Sequence, residues 1–239
     1  MRIAVYTAIF GDIDRLWSVY PLASRGADRV CFSDRLRREV GLWTDEQPPG
    51  LQKGTTGLAV VPTWEQRLVE PEWLARRTAR HYKALPQRYM PNADVWIWVD
   101  GNVRLLADPR EIVERYLGDA SLAIFKHPDR VCLYEEARFC AKKGKDKSAV
   151  LYRQMRRYQA NGMPENWGLP ETRCVIRRNT EAMQALNEAW WSELERHSVR
   201  DQVSLPFVCW KRGIRWREIP GRCWVRNTSR DFYYVKHRG

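Results

Sequence analysis

Two oxygen-bearing side chains, Asp100 and Asn102, stand one residue apart at the end of the apolar run Val95-Trp96-Ile97-Trp98-Val99. A strand ending this way can present both oxygens to a hard divalent cation, manganese or magnesium. Such a cation neutralises the charge that grows on a departing nucleoside diphosphate. Gly101 between the two lets the backbone turn tightly and approach a phosphate closely. Asp-Gly-Asn is equally an ordinary turn sequence, so its meaning depends on what surrounds it. Upstream, Arg76, Arg80 and Lys83 recur at spacings of four and three, which is one face of a helix. Guanidinium forks on that face would grip phosphates through paired hydrogen bonds; a solvated helix face has the same spacing. Polar residues also close two earlier apolar runs, Thr7 and Gly11-Asp12 after the first and Asp34 after the second.

These side chains need elements to carry them. Residues 2–10, 30–32, 58–61, 95–99, 121–125 and 174–176 read as short buried strands, mostly apolar and closed by Gly, Pro or Asp. Residues 41–57, rich in Gly, Pro and polar groups, read as a loop. Helical patterns cover 72–85, between Pro71 and Pro86, then 109–117, 147–161, 180–197 and 201–211. Strands and helices alternate, which predicts an α/β fold with a mostly parallel central sheet flanked by helices. In such sheets ligands bind beyond the carboxyl ends of the strands. Asp12, Asp34 and Asp100 would then share one rim.

In chain order, Ile3-Ala4-Val5-Tyr6-Thr7-Ala8-Ile9-Phe10-Gly11-Asp12-Ile13-Asp14, Cys31-Phe32-Ser33-Asp34, Arg80-x-x-Lys83-x-x-Pro86 and Ile97-Trp98-Val99-Asp100-Gly101-Asn102 resemble one family. It is the glycosyltransferase-like domain of the plant turgor-regulation-defect and mucilage-related proteins. The resemblance spans about residues 2 to 210 and implies a GT-A nucleotide-sugar fold. It implies one domain over 1–239, with a nucleotide-binding half at 1–110 and an acceptor-side half and basic tail at 111–239. Thr7, Ala8, Phe10 and Asp12 would line the nucleoside pocket, Asp34 would hydrogen-bond base or ribose, and Arg80 and Lys83 would approach ribose or diphosphate. Asp100 and Asn102 would occupy the metal motif, where the fold usually has a second Asp; the neutral amide leaves a metal-independent variant open. Arg200-Asp201-Gln202 is similar to the Asp-Gln motif of retaining enzymes, with Gln202 beneath the anomeric carbon and Asp201 holding sugar hydroxyls. An inverting enzyme instead needs a carboxylate to take the acceptor proton, a part open to Asp201 or Glu171. Asp201 also suits a helix N-cap. The resemblance assigns His237 to a metal shell; a histidine near the end of a sequence is also commonly just exposed. His127 and the Glu135-Glu136 pair would face an acceptor cleft or the surface.

Composition bounds these readings. The 239 residues carry 41 Lys and Arg against 29 Asp and Glu, a net charge of +12, with 44% hydrophobic residues. That apolar fraction excludes a disordered chain, and no apolar run is long enough to span a membrane. The opening Met1-Arg2-Ile3 leads straight into a strand pattern without a secretory leader, so a cytoplasmic protein is expected. Six cysteines without a CxxC pair are expected to be reduced core thiols. Of the basic residues 32 are Arg and nine Lys, which suits phosphate-bearing partners or reflects solvated surface. The expected activity is transfer of a sugar from a nucleoside-diphosphate donor, UDP-linked, to a glycan, protein or modified-DNA acceptor. A basic nucleic-acid-binding protein and a nucleotidyltransferase are the alternatives.

Overall fold

The computed structural model describes residues 1–12, 14–17, 26–40, 64–223 and 228–235. The expected strand at 58–61 and loop at 41–57 lie outside them. In chain order the elements are β1 (Ile3–Ile9), β2 (Leu16–Trp17), β3 (Ala27–Ser33), β4 (Glu39–Val40), β5 (Glu65–Leu68), α1 (Ala75–Ala84), α2 (Pro86–Tyr89), β6 (Val95–Val99) and β7 (Val103–Leu105). There follow α3 (Pro109–Ile112) running into a π-helical turn at Val113–Leu117, β8 (Leu122–Lys126), α4 (Leu133–Lys142), α5 (Ser148–Ala160), β9 (Pro170–Arg178), α6 (Glu181–Arg196), α7 (Asp201–Lys211), β10 (Arg217–Ile219) and β11 (Phe232–Tyr234).

Seven strands form one sheet in the order β10-β8-β9-β6-β1-β3-β5. Four of its neighbour pairs are parallel and two, those made by β9, are antiparallel. The sheet is therefore mostly parallel and the fold α/β, as the alternation predicts. One consequence of the reversed β9 is functional. Its first residues, not its last, lie at the edge where β1 and β6 end.

The central strands are buried on both faces, which is why they read as continuous apolar runs. Tyr6, Ala8, Trp96 and Trp98 face a core shared with helices including α1, α6 and α7. Ile3, Val5, Val95, Ile97 and Val99 face a second core with Ile112, Leu117 and Phe232. The outer strands carry charge instead: Glu65 and Arg67 on β5, Arg217 and Glu218 on β10. Such residues discourage further strand pairing.

Helix α1 differs from its expected bounds. It starts at Ala75 rather than residue 72, because Leu74 keeps an extended backbone (ψ 142°) at the cap. It ends at Ala84, since Leu85 (φ −116°, ψ 49°) leaves the helical region ahead of Pro86, which starts α2. The ring of a proline disfavours helical backbone in the residue before it. Helix α7 runs from Asp201 as expected, but Arg200 is its cap residue and Asp201 belongs to its first turn.

Candidate active site

A cavity of about 220 Å³ opens where β1 and β6 end and β9 begins. Ala8, Ile9 and Phe10 come from β1 and the residue after it; Trp98, Asp100, Gly101 and Asn102 come from β6 and its turn. The start of β9 supplies Glu171, Thr172 and Arg173; α1 supplies Arg76 and Arg80; the start of α7 supplies Asp201 and Gln202 beside Arg200. The N-terminus of an eleven-residue helix thus faces the cavity, adding partial positive charge where an anion would sit.

An ion cluster forms part of the lining, with one buried lysine behind it. Lys83 is fully buried, and its Nζ sits 2.7 Å from Asp201 Oδ2 and 3.2 Å from Asp100 Oδ1. Arg80 approaches the same two carboxylates at 3.3 and 3.8 Å. Thr172 Oγ1 donates to Asp201 Oδ2 at 2.9 Å, and Trp98 Nε1 donates to Asp100 Oδ1 at 2.7 Å. Burial alone would raise the Asp201 pKa. The attraction of Arg80, Lys83 and Arg200 outweighs it and holds the carboxyl far below the usual range. Glu171 behaves oppositely. Burial pushes its pKa up, Arg173 pulls it down, and Asp100 and Asp201 push it up further, leaving it raised overall.

Gln202 spans the cavity wall between two charges. Its Nε2 donates to Glu171 Oε2 at 3.1 Å, and its Oε1 accepts from Arg200 Nη2 at 3.1 Å. Arg200 is backed in turn by Glu136 at 3.6 Å. That glutamate, 1% exposed, also accepts from Arg130 at 2.6 Å.

Asp100, Asn102 and Asp14 are oxygen donors on one cavity wall. A Cβ at position 101 would lie 2.9 Å from the Asp14 Cβ, so glycine there is what admits the Asp14 side chain. Carboxylates and an amide are the donor types a hard cation takes, and in kind these residues fit one. Among the described residues no group of three His, Cys, Asp or Glu forms a metal cage.

The expected site residues separate into two sets. Ala8, Phe10, Arg80, Asp100, Asn102, Glu171, Asp201 and Gln202 line the cavity, and Lys83 lies under it. Thr7 is buried and is not among the lining residues. Asp34 accepts from the Gly11 N–H at 3.0 Å and pairs with Arg37 at 2.8 Å. Its pKa is lowered: burial raises it, and Gly11 and Arg37 more than offset that. Asp12, largely exposed, pairs with Arg35 at 2.9 Å. Both carboxylates thus sit on an arginine pair beside the cavity rather than in its lining. His237 lies outside the described residues. His127 is buried, its Nδ1 accepting from the Asp129 and Arg130 N–H groups, and burial pushes its pKa down to about 4. Glu135 is exposed while Glu136 is buried behind Arg200, because neighbours on a helix point about 100° apart.

Arg173, Thr172 and Asp14 went unread in the sequence. The first two lie where a strand reverses, which periodicity does not encode; only the Gly101 turn hints at Asp14. Arg77, beside Arg76, turns away to the α6 carbonyls of Leu194 and Glu195.

Residues 1–219 match the family model described as TOD1/MUCI70, glycosyltransferase-like domain. The chain belongs to this family. Among its relatives is a protein of Arabidopsis thaliana named probable hexosyltransferase MUCI70, 27% identical over 221 residues, covering 86% of this chain and 37% of that protein. Another from the same plant, named alkaline ceramidase TOD1, is 26% identical over 225 residues, covering 86% of this chain and 48% of the relative. The chain therefore spans less than half the length of these curated relatives. The family match covers every residue that lines the cavity. No helix among the described residues is long and apolar enough to cross a membrane.

Proposed function

We propose that the chain transfers a sugar from a nucleoside-diphosphate donor, UDP-linked, to an acceptor hydroxyl, at the cavity between β1, β6 and α7. One observation carries the reading. Strand-end oxygens (Asp100, Asn102) and helix cations (Arg76, Arg80) line one cavity together with Asp201 and Gln202.

Each residue then has a defined task. Arg76, Arg80 and Arg200 receive the diphosphate, which enters over the N-terminus of α7. A divalent cation, held by Asp100 and Asn102 with Asp14, supplies further neutralisation of the leaving group when bound. Asp201 stays ionised because Lys83 and Arg80 clamp it, so it accepts hydrogen bonds from sugar hydroxyls and does not take protons. Gln202, fixed from both ends, is the group beneath the anomeric carbon if the configuration is retained.

A second reading rests on Glu171. Its raised pKa and its place in the cavity lining suit a general base, which an inverting transfer requires and a retaining one does not. The anomeric configuration of the product, read by proton NMR, separates the two.

The reading is tested with a panel of nucleotide sugars, following release of free nucleoside diphosphate with manganese, with magnesium and with EDTA. Hydrolysis of one donor class is expected, and its loss in Asp100→Ala. Pyrophosphate as product would indicate nucleotidyl transfer instead. A ceramide arm is included because one relative carries a ceramidase name; fatty-acid release with no donor turnover would defeat the proposal.

A further inference from the structure

Helix α4 buries one face, made by Leu133, Ala137 and Cys140 at helical spacing, and Glu136 stands on that same face. A carboxylate buried there needs partners, because losing water without gaining them is strongly unfavourable. Its two oxygens are divided between two arginines. Oε2 accepts from Arg130 Nε at 2.6 Å. Oε1 lies 3.6 Å from Arg200 Nη2 and accepts from the Cys140 thiol at 3.1 Å. Arg130 is itself fixed: its guanidinium lies 4.0 Å from the centre of the Phe139 ring, and its backbone N–H donates to His127 Nδ1 at 3.1 Å. His127, 3.7 Å from the carboxylate, is neutral near pH 7 because burial lowers its pKa to about 4. The charge of Glu136 is therefore left to the two arginines. On the cavity side, Arg200 Nη2 is also the nitrogen that donates to Gln202 Oε1 at 3.1 Å. One guanidinium nitrogen thus joins a charge buried behind the cavity wall to an amide in its lining.

Resting on the reading of the cavity as a donor site, we propose that Glu136 is a positioning residue that holds Arg200 against the Gln202 amide, in the pose that receives the diphosphate. It touches no substrate; 1% exposed, it acts only through Arg200. A free arginine side chain has many rotamers to lose on binding, whereas an anchored fork meets a phosphate with little freedom left to lose. Without the carboxylate, Asp201 is left to attract Arg200 and would draw it off Gln202. If Glu136 only tempered the positive charge of the cavity, its removal would tighten diphosphate binding instead. The two roles therefore differ in sign.

UDP affinity is measured by calorimetry on the parent, Glu136→Gln, Arg200→Ala and the double variant carrying both. Glu136→Gln is expected to bind UDP about tenfold more weakly than the parent. Arg200→Ala should bind at least as weakly. Adding Glu136→Gln to it should change UDP affinity by less than about twofold, since two residues acting through one contact are not additive. A glutamate that merely supports the fold would weaken UDP binding by the same factor in both backgrounds. Removing one member of a buried ion pair can prevent folding. A further variant, Glu136→Gln with Arg130→Met, therefore removes the carboxylate together with one of its arginines; near-UV circular dichroism checks its fold, and the same loss is expected. Unchanged or tighter UDP binding in either folded Glu136 variant, or equal factors in the two Arg200 backgrounds, would overturn the proposal. Failure of the parent to bind UDP would overturn the donor-site reading and this role with it. UDP binding by the parent with no loss in the Glu136 variants would remove Glu136 alone.

Discussion

Asp201 and Glu171 are both buried carboxyls in one cavity, yet their surroundings drive them in opposite directions. Asp201 has two cations within 3.3 Å, and its depressed pKa makes it a source of stability. That contribution is complete above the range in which an unfolded aspartate titrates and drains away as pH falls through the lower folded value. Asp201→Asn is expected to cost about 3 kcal/mol near neutrality, where it leaves Lys83 buried beside a neutral amide. The gap between parent and variant should narrow on acidification, followed by urea unfolding across pH. For Glu171 the sign reverses. Its folded pKa is raised, so ionisation on the way up from acid pH favours the unfolded chain. Glu171→Gln should therefore melt no lower than the parent at neutral pH. If Glu171 is the base, transfer should fall by about a hundredfold and lose its dependence on a group titrating above the ordinary glutamate range.

At the level of elements, the site depends on how α1 is held against β9. Arg177 of β9 is fully buried and donates to the carbonyls of Ala84 (3.2 Å) and Lys83 (2.5 Å) and to Asn187 Oδ1 (2.5 Å). The Nη2 that donates to the Lys83 carbonyl also donates to the Tyr6 hydroxyl, which itself donates to the Lys83 carbonyl at 2.9 Å. A cation at the C-terminal end of a helix meets the exposed carbonyl charge there, so this arginine fixes the turn that carries Lys83. Arg177→Met is expected to cost about 3 kcal/mol, since several buried acceptors lose their donor at once. It should also weaken UDP binding while leaving the cavity's own side chains in place. Parallel calorimetry and chemical denaturation check both, and unchanged UDP affinity in a folded variant would confine Arg177 to stability.

Over the whole molecule, burial is uniform for the thiols. All six cysteines are unpaired and buried, and burial pushes the Cys31 thiol up to about 12 and that of Cys140 up to about 11. A thiol reagent should find essentially none in the native protein and all six after denaturation, with no effect of reductant on the melting temperature. Rapid modification of a native thiol would contradict this burial. The net charge of +12 is a long-range property and should raise association rates with anionic ligands at low salt. It does not by itself select a ligand.

The strands that build the floor were legible because they are buried on both faces and leave unbroken apolar runs, 95–99 being the clearest. Asp100, Asn102 and Arg80 were legible for a related reason: each sits at a fixed offset from an element end or along a helix face, whereas Gln202 was reached only through the resemblance of Arg200-Asp201-Gln202 to a family motif. Direction of pairing was not. Nothing local in residues 170–178 says that they run antiparallel between β6 and β8, and that reversal brings Glu171, Thr172 and Arg173 to the cavity. The opposite pKa directions of Asp201 and Glu171 were likewise decided in three dimensions, because a pKa depends on burial and on charges from distant segments. Asp201 stands 118 residues from the lysine that holds it ionised.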